Sequence, residues 1–137
     1  MKESENQQPE LKKRVLSSKQ KQLHNFSLGA WGESRATQFL ISKNFTILQL
    51  NVVVGGCEVD IVAFDNKNQE LAFIEVKTRK NDQFGHPGQA INYKKLRNMR
   101  KVAAAYIREY TLYKQYRFDS ISILPGKIEH YENITWN

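Results

Sequence analysis

The chain has 137 residues, 40% of them hydrophobic, which suits one globular domain with a single modest core. Its apolar runs are far too short to cross a membrane, and the N-terminus lacks the apolar segment of a secretory signal. Cys57 is the sole cysteine, which excludes an intrachain disulfide and a cysteine-rich zinc site. We therefore expect a cytoplasmic protein with no membrane partner.

The N-terminal part of the chain changes character near residue 26. Residues 1–25 are polar and mixed in charge, and we expect a flexible tail there, followed by a single domain over 26–137. A helix is predicted from an N-cap at Ser27 to about Lys43, because apolar residues recur there at short helical spacing. Its predicted apolar stripe consists of Leu28, Trp31, Ala36, Phe39 and Leu40.

Five strands and a second helix follow. Three strands are predicted over 45–54, 58–64 and 71–79, each bounded by turn-forming residues. After a loop containing glycine and proline, a long amphipathic helix is predicted over about 89–110, and two short strands over 117–124 and 127–131. The order αβββαββ, without repeats, predicts an α/β domain.

Charged residues recur at every second position of the second and third strands. Glu58 and Asp60 share one face of the second strand, and Glu75, Lys77 and Arg79 share one face of the third. A short turn joins these strands, so they should pair antiparallel, which brings Asp60, Glu75 and Lys77 together. The intervening apolar residues, expected on the opposite face, are Val59, Ile61, Ile74 and Val76. Charges buried there need one another or a metal ion.

Glu33 adds a third carboxylate. It precedes Ala36 by three residues and Leu40 by seven, which places it on the core-facing stripe of the first helix. An inward carboxylate usually has a partner, and a buried salt bridge with Lys77 is the alternative to a shared metal ion. Two or three carboxylates suit Mg²⁺ or Mn²⁺, which polarises a phosphate and its bound water. Lys77 can orient the nucleophile or neutralise charge that develops on phosphorus.

Positive charge is concentrated in the second half of the chain. The formal net charge is +7, and from Lys77 to Arg117 there are eleven basic residues against two acidic ones. This favours a polyanionic partner, most simply nucleic acid, although a solubilising surface is the alternative. On the second helix Lys94, Arg97 and Lys101 share one face that can follow phosphates.

Two segments carry a family resemblance. Residues 57–63 (CEVDIVA) and 73–79 (FIEVKTR) resemble the PD-(D/E)XK nuclease superfamily. The chain more closely resembles the bacterial YraN-like family, itself similar to archaeal Holliday junction resolvases, from about Leu28 to Asn133. The resemblance also covers GAWGE at 29–33, the 85–88 loop, Lys94 and RFD at 117–119. Val59 replaces the proline of the superfamily motif, and Cys57 stands where the family usually has glycine.

The resemblance implies a fold and an activity. The fold is a restriction endonuclease-like αβββαβ core with a mixed central sheet flanked by helices. The activity is metal-dependent endonucleolytic hydrolysis of phosphodiester bonds in DNA, with branched or structured DNA as the substrate by analogy. Glu33, Asp60 and Glu75, with the Val76 carbonyl, would hold the metal, and Lys77 would be the catalytic lysine. Glu58 is an auxiliary acid.

Gln89 and Tyr93 lie four residues apart, which resembles the Gln-x-x-x-Tyr element of RecB-like nucleases. The predicted nucleic-acid-binding residues are therefore Lys94, Arg97, Lys101, Arg79 and Gln89. A non-catalytic nucleic-acid-binding module of a DNA repair or processing complex is the second hypothesis. The sequence leaves open DNA against RNA and monomer against homodimer, and Trp31 is interpreted as packing rather than base-stacking.

Overall fold

The computed structural model describes residues 28–79, 92–110 and 115–134. Within these ranges the chain forms the predicted elements in the predicted order. They are α1 Leu28–Ser42, β1 Phe45–Val54, β2 Cys57–Asp65, β3 Glu70–Thr78, α2 Tyr93–Glu109, β4 Tyr116–Leu124 and β5 Lys127–Tyr131. The predicted tail at 1–25, the Ser27 cap, the 85–88 loop and Gln89 lie outside the described residues.

The strands form one mixed sheet in the order β1-β2-β3-β4-β5. Every neighbouring pair is antiparallel except β3 with β4, which run parallel. Parallel strands cannot be joined by a tight hairpin and need a crossover, and α2 lies within that crossover. This architecture confirms the predicted α/β class and is compatible with the restriction endonuclease-like core that the resemblance implies.

The two helices cover opposite faces of the sheet. On one face, α2 buries Leu96, Met99 and Tyr106 in a core that includes Val62 and Phe73. On the other face, Ala36 and Leu40 of α1 belong to a second core of sheet residues, namely Ile61, Ala63, Ala72, Ile74, Ile121 and Ile123. In the parts of the chain that the structure describes, neither helix combines the length and apolar character that crossing a bilayer requires.

The prediction that Trp31 belongs to the buried stripe of α1 is wrong. Its side chain is 49% exposed, and the guanidinium carbon of Arg35 lies 5.3 Å from the centroid of its ring. Trp31 and Ala36 are five residues apart, which rotates the helix by about 140° beyond one full turn at about 100° per residue. Trp31 therefore lies on the outer side of α1, while Ala36 and Leu40 face the sheet.

The alternation of faces along β2 also differs from the prediction. Val59 packs in the core beneath α2 together with Val62, although Ile61 between them packs beneath α1. The change lies opposite a distortion in β1, where Asn51 adopts a φ of 52° between residues that pair with Ile61 and Val59. A residue in the left-handed region interrupts the pleat of a strand and changes its local twist. Asp60 lies at the point where the alternation changes.

The second turn of α1 lies against the end of β3. A Cβ atom added to Gly32 would collide with Oγ1 of Thr78, so glycine permits this close approach. The contact anchors the start of α1 at the end of the sheet where β3 finishes. It therefore places Glu33, the next residue, near the charged residues of β2 and β3.

A buried ion network holds the start of β4 against the β2–β3 turn. Arg117 is 4% exposed and donates to both carboxylate oxygens of Asp119, with Nε lying 3.0 and 3.2 Å from them. Its Nη1 donates to Asp65 at 2.8 Å and to Glu70 at 2.9 Å. His130 of β5 lies 2.8 Å from Asp119 through Nε2. Three strands therefore share one buried guanidinium, and β5 joins the network through Asp119.

Candidate active site

Asp60 and Glu75 meet where β2 and β3 separate. Backbone pairing between these strands runs from Asp65–Glu70 to Ile61–Ile74, and one further step of the register puts Asp60 opposite Glu75. The two side chains lie within interaction range, and each shifts the pKa of the other. Asp60 Oδ2 also accepts the backbone N–H of Val76 at 2.8 Å. Two of the acids predicted to converge are therefore adjacent, and a backbone donor fixes one of them.

Burial makes this pair retain a proton near neutral pH. Glu75 is 4% exposed, and burial together with the charge of Asp60 raises the pKa of Glu75 to about 7. Burial also raises the pKa of Asp60, although the Val76 N–H and the interaction with Glu75 oppose that rise. The interaction between the two groups lowers the pKa of Asp60 and raises that of Glu75, so it favours an ionised Asp60 beside a protonated Glu75.

Two further acids lie within electrostatic reach of the pair. Burial first, and then the charge of Asp60, raise the pKa of Glu33 to about 7, while a hydrogen bond with Asn51 opposes the rise. The same two causes raise the pKa of Glu58. Across residues 28–79, 92–110 and 115–134, however, no group of three or more Asp, Glu, His or Cys side chains is arranged to hold a metal ion. The expected three-carboxylate set is not formed in this arrangement.

Two lysines flank Glu75. Lys77 Nζ lies 3.9 Å from Oε2, and its side chain is 46% exposed. Lys95 Nζ lies closer, 3.3 Å from Oε1, and its side chain is 33% exposed. The structure therefore places Lys77 on the predicted side of β3 and adds a second cation from α2.

Lys95 is a site residue that the sequence analysis missed. It precedes the buried Met99 by four residues and the buried Val102 by seven, so helical spacing puts it on the inner side of α2. A cation on an apolar stripe is the signal that identifies it, and the abundance of exposed cations on the same helix obscured that signal.

The predicted phosphate-binding face of α2 is exposed. Lys94, Arg97 and Lys101 all reach solvent, as does Arg100 beside them. Arg79 differs, because it is only partly exposed and its buried Nε has no hydrogen-bond partner among the described residues.

The predicted start of α2 at residue 89 is wrong. Asn92 has an extended backbone, with φ −88° and ψ 177°, and its side chain accepts the Lys95 N–H at 2.8 Å as the N-cap. Because Asn92 is the N-cap, the first residue of α2 is Tyr93. The predicted pairing of Tyr93 with Gln89 lies outside the described residues.

The raised pKa of Glu75 predicts how stability depends on pH in the absence of divalent cations. The folded state binds the proton of Glu75 up to about pH 7, whereas the unfolded chain releases it near 4.5. The stabilisation that proton binding at Glu75 gives the folded state is fully present below pH 4.5 and is lost as the pH rises through 7. Glu75→Gln keeps a donor for Asp60 without a titrating group, so its free energy of unfolding should fall less between pH 5 and pH 8, by roughly 2 kcal/mol.

Urea unfolding in EDTA at the two pH values measures this difference. Glu109→Gln, at the exposed end of α2, is the control. Its free energy of unfolding should change with pH as that of wild type does. If the free energy of unfolding changed equally with pH in wild type and Glu75→Gln, the carboxyl pair would not hold the proton.

The fold and site define a mixed α/β protein with a buried carboxyl pair beside a basic helix. Residues 32–123 match the model of UPF0102, described as an uncharacterised protein family, and the chain belongs to this family. A UPF0102 protein of Thermodesulfovibrio yellowstonii is 42% identical over 77% of this chain and 93% of its own length. One from Phocaeicola vulgatus is 41% identical over 80% of this chain and 91% of its own length.

The chain is also similar to a solved structure. The crystal structure of SSO0001 shares 18% sequence identity, with a TM-score of 0.39, over 80% of this chain. This chain spans 52% of that protein, and the structural likeness is too low to carry an argument.

Proposed function

We propose that this chain is a metal-dependent endonuclease of the PD-(D/E)XK type that hydrolyses phosphodiester bonds in DNA. The observation that carries the proposal is the buried Asp60–Glu75 pair, with a lysine beside each oxygen of Glu75. Acid–acid contacts in an apolar setting are costly, and strongly shifted carboxyl groups of this kind cluster at functional sites. The helix that supplies Lys95 on its inner side carries the basic face on its outer side, so one element serves both the carboxyl pair and a bound DNA backbone.

The donor chemistry of the pair fits a hard divalent cation. Mg²⁺ commonly uses one or two carboxylates and keeps several waters, so Asp60 and Glu75 are sufficient as protein ligands. They would hold the cation in place of their shared proton, and Glu33 and the Val76 carbonyl are proposed as additional ligands. A bound Mg²⁺ or Mn²⁺ would supply polarisation of the phosphate and a more acidic water.

The residues around the pair have separate roles in the proposed reaction: some position the carboxyl groups and one approaches the phosphate. The Val76 N–H fixes the orientation of Asp60, and Lys95, the less exposed lysine, fixes Glu75. Lys77 is nearly half exposed, so its ammonium can approach a phosphate that arrives from solvent. There it can orient the attacking water or offset negative charge in the transition state.

Cleavage assays test the activity itself. Linear, nicked, flapped and four-way DNA are incubated with Mg²⁺ or Mn²⁺, and cleavage of at least one of these substrates is expected. The branched substrates are included because of the resemblance to junction-resolving enzymes, which is a weak guide to substrate.

The exposed cations of α2 are proposed to bind the DNA backbone. Neutralising Lys94, Arg97 and Lys101 together should weaken binding by at least about tenfold at low salt. The slope of log K against log salt should also become shallower by roughly 2 to 3, since each lost phosphate contact removes close to one unit. Fluorescence anisotropy with labelled DNA over a salt series, without divalent cations, measures both quantities.

The matched control removes the same charge elsewhere. Lys43, Lys67 and Lys127 are exposed and lie outside α2. Neutralising these three should leave the salt slope near that of wild type. If the two triple variants lose affinity and slope equally, the positive charge acts through the whole molecule and α2 is only a solvated face.

A non-catalytic DNA-binding module is the second candidate. The favouring observation is that the described residues contain no ready three-ligand group for a metal ion. DNA binding through α2 without cleavage of any of the four substrates would support this candidate.

A further inference from the structure

The first turn of α2 presents an exposed aromatic ring among the cations of the basic face. Tyr93 is the first residue of the helix, and its side chain is 48% exposed. The guanidinium carbon of Arg97, one turn later, lies 5.6 Å from the centroid of the ring. This cation–π contact holds an aromatic group and a cation together at the surface.

Tyr93 and Lys95 face different sides of the same helical turn. Two residues rotate the helix by about 200° and advance it by about 3 Å. Lys95 points inward and reaches Glu75, so Tyr93 points outward, on the side that carries the exposed cations. These cations are Lys94, Arg97, Arg100 and Lys101. The ring therefore lies within the basic face, on the side of α2 opposite the lysine that reaches Glu75.

We propose that Tyr93, held by Arg97, stacks on an unpaired base of DNA whose backbone lies along the cations of α2. In a duplex the faces of the bases are hidden by stacking, so a surface ring can stack only on a base that is unpaired or displaced. Cations that follow the backbone, combined with an aromatic side chain for the base, are the usual means of binding single strands. The inference rests on the proposed function for cleavage and adds a substrate class, DNA with unpaired bases beside a duplex.

The test measures stacking without cleavage. Full-length protein in EDTA is titrated with flapped DNA that carries the fluorescent base 2-aminopurine in the single-stranded flap near the junction. A second DNA carries it in the paired arm. Wild type and Tyr93→Phe should quench the flap signal. Tyr93→Leu should lose that quenching and bind flapped DNA about tenfold more weakly, while its affinity for plain duplex stays unchanged.

Tyr116→Leu is the matched control. Tyr116 has the same 48% exposure but lies at the start of β4, opposite Leu71 and four residues along β3 from Glu75. This variant should keep the quenching of the flap signal, and thermal melting verifies that both leucine variants fold.

Two results would overturn the inference. Tyr93→Leu could leave the quenching and the flap affinity unchanged, or it could weaken duplex and flapped DNA equally. Failure of the stacking inference can be distinguished from failure of the proposed nuclease function, because the titration contains no metal and measures no cleavage. Stacking without cleavage in any assay would retain the inference on a DNA-binding module. Cleavage by a protein whose Tyr93→Leu variant binds normally would retain the nuclease and discard the stacking site.

Discussion

Lys77→Ala should reduce DNA cleavage by at least about a hundredfold while leaving binding of Mn²⁺ and DNA largely intact. Preorganised charge at a developing oxyanion is worth this much when a single donor is removed. Lys77 is exposed and lies 3.9 Å from Glu75, so its loss should disturb the carboxyl pair little. Asp60→Asn should behave differently and lose cleavage together with the response to Mn²⁺, because an amide is a poorer ligand for a hard cation.

The two variants are compared in cleavage and in thermal unfolding with and without millimolar Mn²⁺. A cation that binds only the native state raises the unfolding temperature by mass action, which gives a measure of metal binding that is independent of activity. The amide introduced by Asp60→Asn retains an oxygen for the Val76 N–H, so loss of the metal response in this variant is not simply loss of that hydrogen bond. Lys67→Ala, in the exposed β2–β3 turn, is the control for removal of one lysine.

Contaminating nuclease is the main confounding source of activity, so all variants are purified identically. Cleavage that is equal in wild type, Lys77→Ala and Asp60→Asn would mean that the activity belongs to another protein. If none of them cleaves any substrate and DNA still binds, the chain is a binding module. An equal Mn²⁺ shift in wild type and Asp60→Asn would argue against a metal ion at Asp60.

The contact between Asp60 and Glu75 could be predicted because it depends on local rules. Strand alternation fixes which residues share a face, and the short β2–β3 turn forces the two strands to pair. The face of Val59 could not be predicted in this way, because the alternation along β2 changes opposite a distorted residue of the neighbouring strand, Asn51. A rule that reads one strand at a time contains no information about such an interruption.

The contact between Lys95 and Glu75 shows a different limit. Helical spacing identifies the inner side of α2, but it does not determine which part of the sheet that side meets. The position of α2 follows from the packing of Met99 and Tyr106 against core residues such as Val62. Sequence periodicity could therefore identify Lys95 as an inward cation, whereas its partner depends on tertiary structure.

Arg117 belongs to a sequence motif whose physical role became clear only from the structure. Residues 117–119 belong to the family resemblance, yet the structure gives them a buried ion network rather than a role beside Asp60. The partners Asp65, Glu70 and His130 come from three other strands. No spacing rule connects positions so far apart in the chain.

The network predicts that Arg117→Ala will destabilise the protein severely. Asp119 is fully buried and Asp65 is 2% exposed, so removing the guanidinium leaves two buried carboxylates without their main cation. Breaking a buried ion pair on one side costs about 3–5 kcal/mol, which is a large fraction of the stability of a small domain. Urea unfolding at pH 7 measures the loss, and the thermal midpoint should fall by roughly 10 °C or more.

A double variant separates the loss of the attraction between Arg117 and Asp119 from the cost of leaving a buried carboxylate without a cation. Removing Asp119 as well takes away one of the unpaired carboxylates, so Arg117→Ala with Asp119→Ala should cost less than the sum of the two single variants. Arg108→Ala, an exposed arginine in the last turn of α2, is the control and should change stability by less than about 0.5 kcal/mol. If Arg117→Ala were as mild as Arg108→Ala, or if the double variant were additive, the network would not stabilise the fold. Because Asp65 and Asp60 belong to the same strand, a loosened network would also free the hairpin that positions the carboxyl pair.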